Sequence, residues 1–298
     1  MASYISHYLT AKAVIEKSPE NSVIKKYPDC FILGAQGGDL LFYAFGEFKG
    51  YGARTHKEKT YGLFLSLLDY CRKTYKESSV AYALGLLCHY ALDSAAHPYV
   101  VYEAAERLTK LYPEHLKSCL HMMLETRIDV MMRERAESRG TTLNLKEVIP
   151  STKRAALSLA DVWSNAVNKV YGVDVPFKLL KKLPSRMYRY QSVFLKPRSV
   201  SCAVLKFAAK KLHYPAYIVG FFAPDKHDPD YDFANLEHRS YPVYTGSEEY
   251  LNCDYFQIVD NAISSSLRLI DTFLLCVKNG GTLDKNDFTI NFSGGRAD

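Results

Sequence analysis

The stretch that most constrains this chain is GLLCHYALDSAAHPYV, residues 85 to 100, which places His89, Asp93 and His97 four residues apart inside an otherwise apolar run. In a helix, positions i, i+4 and i+8 stack on one face, each about 6 Å further along the axis. Burying such groups costs free energy unless something compensates them. The run therefore lines a site that compensates them, or presents them as hydrogen-bonded core groups or a polar helix face.

A second segment repeats the device. In HMMLETRID, His121 and Glu125 stand four apart and Asp129 extends the stripe, on a surface otherwise built of Met122, Met123 and Leu124. Two helices that each present His and carboxylate at helical spacing are how bundle interiors assemble metal sites. Three more candidates lie outside these helices: His7 in the first turn of an N-terminal helix, Asp39 in the glycine-rich GAQGGD, and His56 after that stretch. Glycine lets backbone approach a buried site closely, so a short carboxylate on such a loop reaches a metal without helix bulk intervening. The set His7, Asp39, His56, His89, Asp93, His97, His121 and Glu125 offers N and O donors and no thiolate. That exceeds what one zinc takes and suits two or three ions.

Periodicity of 3.6 dominates and strand alternation is scarce, so the expected fold class is all-α. Helices are expected over residues 5–17, 19–26, 57–76, 78–97, 100–111, 113–138, 151–171, 185–212 and 250–278. Pro98 predicts an end at His97, because the residue before proline is disfavoured in helical geometry. Pro113-Glu114 predicts a helix start. Residues 34–56 and 221–247 read as long loops. One multi-helix domain over 1–280 and a polar, peripheral tail or hairpin over 281–298 complete the expected organisation.

With 298 residues, 48% hydrophobic and 23% charged, the composition is that of a globular protein. No signal-peptide core and no eighteen-residue uncharged apolar run occur, so a cytoplasmic location is expected. Seven cysteines without a CxxC pair point to buried thiols, not to disulfides or a cysteine zinc knuckle. The charge is unevenly placed. Between Val175 and Pro224 there is no acid, but Lys178, Lys181, Lys182, Arg186, Arg189, Lys196, Arg198, Lys206, Lys210 and Lys211 all fall there. Such a block is a solvated helix face or a surface for phosphate-rich partners, an anionic membrane or nucleic acid.

The ordered set His7, GAQGGD, His56, HxxxDxxxHP and HxxxE resembles the zinc-dependent phospholipase C family, including its bacterial phospholipase C/D-like members, which is related to the secreted fungal single-strand nucleases. NLEHRSYPVYTG, residues 235–246, resembles a stretch found in bacterial members. The resemblance covers roughly residues 1–130 and 220–275. It implies an all-helical phospholipase C/nuclease-type fold with three zinc ions in a cleft. It also implies that Asp39, His56, His89 and Asp93 surround one ion, that His97, His121 and Glu125 hold another, and that His7 with a bridging Asp93 holds the third. In relatives the third ion also takes the amine of the mature N-terminal residue; here that would be the amine of Ala2 after removal of Met1.

The implied activity is phosphodiester hydrolysis by metal-activated water, with Asp39 as the catalytic residue that orients or deprotonates it. Arg127 or Asp129 would orient a ligand, or form a structural pair. The expected substrate is a phospholipid headgroup ester or a related phosphate ester. A nuclease, a nucleotide phosphatase, or a non-catalytic helical module kept for its metals are the alternatives. The 23 tyrosines suit stacking on a base or cation–π contact with a choline-like group, and do not separate these. An HD-type phosphohydrolase at His227-Asp228 is rejected, because prolines flank the pair where that motif requires a helix.

Overall fold

The computed structural model describes residues 4–48, 50–194 and 230–298. The chain is helical nearly throughout, as the periodicity predicts, with one two-residue antiparallel strand pair among the described residues. The amino-terminal third contributes α1 (Tyr4–Lys17), α2 (Val23–Lys26), α3 (Pro28–Ala35), α4 (Tyr51–Lys57) and α5 (Thr60–Thr74). Then come α6 (Glu77–Tyr102), α7 (Thr109–Leu111), α8 (Leu120–Ser138), α9 (Leu145–Val148), α10 (Lys153–Val162), α11 (Asn168–Tyr171), α12 (Phe177–Leu180) and α13 (Leu183–Phe194). Beyond them β1 (Tyr241–Pro242) pairs with β2 (Tyr250–Leu251), and α14 (Tyr255–Asn279) closes the core.

The axis of the molecule is α6, which is buried over most of its 26 residues. A helix apolar on every side belongs in the middle of a bundle. α3 reaches it through two glycines: a Cβ on Gly34 would lie 2.1 Å from the Tyr82 carbonyl oxygen, and one on Gly85 2.2 Å from that of Phe31. Only a pair of residues without side chains permits this backbone approach. The other flank of α6 packs against α14, whose apolar residues recur as Tyr255, Ile258, Val259, Ala262, Ile263, Leu269, Ile270 and Phe273. A reciprocal capping box between Asp254 and Gln257 starts α14, and Gly280 in the left-handed region (φ 79°) ends it.

Pro98 does not end α6. The helix continues to Tyr102 and passes into a π-helical turn, Glu103–Leu108. The lost N–H and ring crowding of an internal proline cost about 3 kcal/mol, and the burial of Ala96, Pro98, Tyr99 and Val100 on both sides outweighs it. Pro113 precedes a 3-10 turn, Glu114–Cys119, and α8 begins only at Leu120, so His121 stands in its first turn. The stretch 34–56, expected as a loop, contains a 3-10 helix at Gly37–Tyr43 and α4. Residues 281–298 are not a peripheral tail. Leu283, Phe288 and Phe292 are buried, Phe288 stacks on Phe64 at 4.8 Å, and Ile290 pairs with Arg296.

No described helix is long and apolar enough to cross a membrane. Cys30, Cys71, Cys88, Cys119, Cys253 and Cys276 are free thiols, and burial pushes Cys71 and Cys88 up to about 12, which keeps them inert. Cys202, His227-Asp228, the Ala2 amine, the part of the basic block after residue 194 and the rest of the helix expected over 185–212 lie outside the described residues.

Candidate metal centre

All eight candidate ligands converge on one face of α6. His89, Asp93 and His97 rise along it; α1 brings His7, the 3-10 turn at Gly37–Tyr43 brings Asp39, α4 brings His56, and α8 brings His121 and Glu125. They fall into three groups whose ligand atoms lie within 4.8 Å of one another: Asp39, His56 and His89; His7, His89 and Asp93; and His97, His121 and Glu125. His89 belongs to two of the groups, and Asp93 faces both. Its Oδ1 is 3.1 Å from His7 Nε2 and its Oδ2 is 3.1 Å from His89 Nε2 and 3.7 Å from His56 Nε2. A carboxylate so placed fits the bridging role that the resemblance implies. His97 joins the upper group, with Nε2 3.4 Å from Glu125 Oε1, and His121 Nε2 is 3.5 Å from the same oxygen. His121 stands at the mouth with its side chain 40% exposed, while the other seven are buried.

The backbone sets each imidazole for ligation. His56 Nδ1 donates to the Gly52 carbonyl at 2.6 Å and His89 Nδ1 to that of Ala35 at 3.1 Å. A proton on Nδ1 leaves the lone pair on Nε2, the tautomer that a metal requires. Both Nε2 atoms are buried without a hydrogen-bond partner. A buried orphan acceptor is rare in a folded protein; two of them aimed at the same pair of carboxylates form a donor set that fits a cation. The donor set of imidazoles and carboxylates is also what zinc takes.

Two glycines bring the Asp39 turn to the histidines. Gly37, at φ +50°, passes so close to His89 that a Cβ would meet its Cδ2 at 2.0 Å, and a Cβ on Gly38 would meet His56 Cε1 at 2.7 Å. Beneath the turn, buried Gln36 donates through Nε2 to the carbonyls of Tyr4 and Val148. The Asp129 carboxylate accepts from the backbone N–H groups of Ile5 and Ser6 and from the Ser6 hydroxyl, at 3.0, 2.9 and 2.8 Å, and so fixes the turn that presents His7. Arg127 Nε is buried without a hydrogen-bond partner among the described residues.

The electrostatics follow from burial and proximity. Burial raises the Asp39 and Asp93 carboxyls, but the positive charge around them, with the facing histidines contributing, prevails and holds both well below the usual range. Burial raises Glu125 too, and surrounding positive charge, to which His121 and His97 contribute, holds it well below the usual range. Burial drops His89 to about 3, keeping it neutral. For His97 burial lowers the value, and Asp93 and Glu125 more than restore it, leaving it raised. Asp129 goes the other way: burial pushes it up to about 7 in spite of its three donors.

Sequence reasoning missed one residue of the site. Phe292 lies 5.6 Å from both the His56 and His89 rings and walls off the lower group from solvent. Its signal was the spacing of Phe288 and Phe292, four apart in a polar segment. The space enclosed by His7, Asp93, His97 and Glu125 with Tyr255 is about 10 Å³, room for one water. A larger cavity, about 250 Å³ between α1, α8 and α14, contains none of the eight ligands.

The family model described as zinc dependent phospholipase C matches residues 6–171, more than half the chain and a span that contains all eight candidate ligands. The chain belongs to the zinc-dependent phospholipase C family. No curated protein and no solved structure matched it significantly. The family is zinc-dependent by its description, and the groups of His, Asp and Glu able to hold metal agree with that.

Proposed function

We propose that the protein hydrolyses a phosphodiester, with a phospholipid headgroup ester as substrate, using two or three zinc ions held by His7, Asp39, His56, His89, Asp93, His97, His121 and Glu125. One observation carries the reading: the orphaned, buried Nε2 atoms of His56 and His89 face the carboxylates of Asp39 and Asp93. Asp39, His56 and His89 form one holding group, and His97, His121 and Glu125 a second. His7 completes a third through Asp93.

Zinc, when bound, supplies a Lewis acid that lowers the pKa of water toward 7 and neutralises phosphoryl charge. The chain's own residues do the rest. Asp39 orients the attacking water by accepting its hydrogen bond; a carboxylate held so far below its ordinary value is a weak base, so orientation outweighs proton abstraction. Asp93, facing two groups, fixes their separation. Phe292 excludes bulk water from the lower group, and exposed His121 marks the side from which a phosphate ester enters.

The test is zinc content by mass spectrometry together with turnover of bis(p-nitrophenyl) phosphate and of short-chain phospholipid. Wild type carries zinc and turns over; Asp93→Asn and His89→Ala lose both. Zinc without turnover would point to a metal-stabilised binding module, and a His89→Ala protein with full activity would remove the site from consideration. Cleavage of single-stranded DNA in place of lipid would move the substrate to the nuclease alternative.

A further inference from the structure

The turn that carries Asp39 is fastened to the basic block. Asp39 and Tyr43 stand in one 3-10 helix, separated by about 8 Å of axis. The Tyr43 carbonyl accepts from Arg186 Nη1 at 3.1 Å, its hydroxyl accepts from Gln191 Nε2 at 2.9 Å, and its ring lies 5.8 Å from that of Tyr190. α13 and the Asp39 turn therefore hold one another in place.

Beyond this junction α12 and α13 carry exposed aromatic and basic side chains. Phe45 and Tyr190 meet edge-on at 5.5 Å and are 49% and 46% exposed; Phe177, at the start of α12, is 43% exposed. Lys178 in α12, Lys181 and Lys182 in the turn after it and Arg189 in α13 are exposed, and no acid occurs from Val175 to Phe194. Among the described residues none of these four cations has an acidic partner.

We propose that these exposed cations and rings of α12 and α13, with Phe45, dock on an anionic lipid bilayer. The proposal rests on the phosphoesterase reading and names the form in which that substrate is met. Cations draw a protein to an anionic leaflet, and half-exposed aromatic rings at the same level settle among headgroups and upper acyl chains. Three of the four cations are lysines, compact point charges suited to a diffuse anionic surface; readout of nucleic-acid phosphates and bases favours the arginine fork. Phe45 and Phe177 carry no polar atom, which suits hydrocarbon.

The experiment is sedimentation of the full chain with vesicles of phosphatidylcholine alone, or mixed with phosphatidylserine, across a salt titration. Wild type is expected to bind the mixed vesicles, to ignore the neutral ones, and to be released as salt rises. Each Lys or Arg near an anionic surface is worth roughly a fivefold change in partitioning. Lys178→Ala, Lys181→Ala, Lys182→Ala and Arg189→Ala combined should therefore weaken binding several hundredfold by the same estimate. Lys182→Glu alone gives a second, milder variant. Both should turn over soluble bis(p-nitrophenyl) phosphate like wild type, which separates loss of docking from loss of the metal site. Absence of soluble turnover in every protein would remove the phosphoesterase reading while vesicle binding still decides the docking. Equal binding to neutral vesicles, full binding by the fourfold variant, or preference for single-stranded DNA over mixed vesicles would overturn the proposal.

Discussion

Gly37→Ala tests the geometry of the centre without touching a ligand. Gly37 has φ +50°, and a Cβ placed there would lie 2.0 to 2.4 Å from Cδ2, Cγ and Nε2 of His89, where ordinary contact begins at 3.4 Å. Alanine in the left-handed region costs about 1–2 kcal/mol, and crowding in a packed interior adds about 1–3 kcal/mol. The sum, about 2–5 kcal/mol, corresponds to a fall in Tm of about 5–15 °C for a chain of this size. Relief by moving the imidazole breaks the Nδ1 bond to Ala35 or turns Nε2 away from Asp93, so zinc content falls with stability. Gly140→Ala is the matched control. Gly140 has φ +82° and nothing within 4 Å of the added Cβ, so it carries the backbone strain alone and leaves zinc unchanged. Differential scanning fluorimetry with and without chelator, paired with zinc analysis, reads both effects. A Gly37→Ala protein with wild-type zinc and a Tm no lower than that of Gly140→Ala would refute the close approach of the Asp39 turn to His89.

Three further outcomes follow from the same contacts. Asp129→Asn replaces one acceptor oxygen by an NH₂ that faces a backbone donor of Ile5 or Ser6; a buried donor left unpaired costs about 1–3 kcal/mol, and urea melts should show it together with weakened zinc binding through His7. Phe292→Ala should cost about 3–5 kcal/mol, the range for a buried aromatic, whereas a peripheral tail would tolerate it with no measurable change in the same melts. In zinc-free protein His89, at about 3 when folded and 6.5 in model compounds, contributes stability that is present above pH 6.5 and lost as pH falls toward 3. Stability relative to His89→Asn should therefore drop by up to about 1.4 kcal/mol per unit between pH 6.5 and 4. Asp129, whose raised value gives the opposite slope up to about 7, is common to both proteins and drops out; a flat difference across this range would contradict a buried neutral His89.

The spacing of His89, Asp93 and His97, and of His121 and Glu125, was legible because a helix converts a repeat of four into a common face, whatever surrounds it. Asp39 and His56 were legible through the glycines between Gly34 and Gly52, since close backbone approach has few other uses. What the sequence did not reveal depends on long-range burial. Pro98 carries a local signal to stop a helix, and α6 overrides it because Tyr99 and Val100 are fixed by packing on both sides. Residues 281–298 look polar residue by residue, yet two phenylalanines four apart suffice to seat the segment against Phe64, Tyr90 and His89. The role of Asp129 was half visible: its place on the α8 stripe could be read, but the N–H groups of Ile5 and Ser6 that it holds come from the other end of the ligand order.

The charge of the centre bears on how many ions it takes. Asp39, Asp93 and Glu125 are buried and held ionised, His89 is held neutral, and Asp129 is pushed toward its neutral form. Without metal these buried carboxylates lean on the histidines that face them, and buried charge is among the larger costs a fold can carry. The raised value of His97 is the protein's own partial compensation: a proton there sits between Asp93 and Glu125. Two divalent cations roughly balance three carboxylates and expel that proton. A third ion leaves the cluster distinctly cationic until an anion joins it, and a phosphate ester is such an anion. Calorimetric titration of chelated protein should then show two tight equivalents of zinc with proton uptake by the buffer, and a third weaker one that tightens when inorganic phosphate is added. Three equivalents of equal affinity, indifferent to phosphate, would mean that charge balance does not govern occupancy here and that a ligand other than these eight side chains holds the third ion.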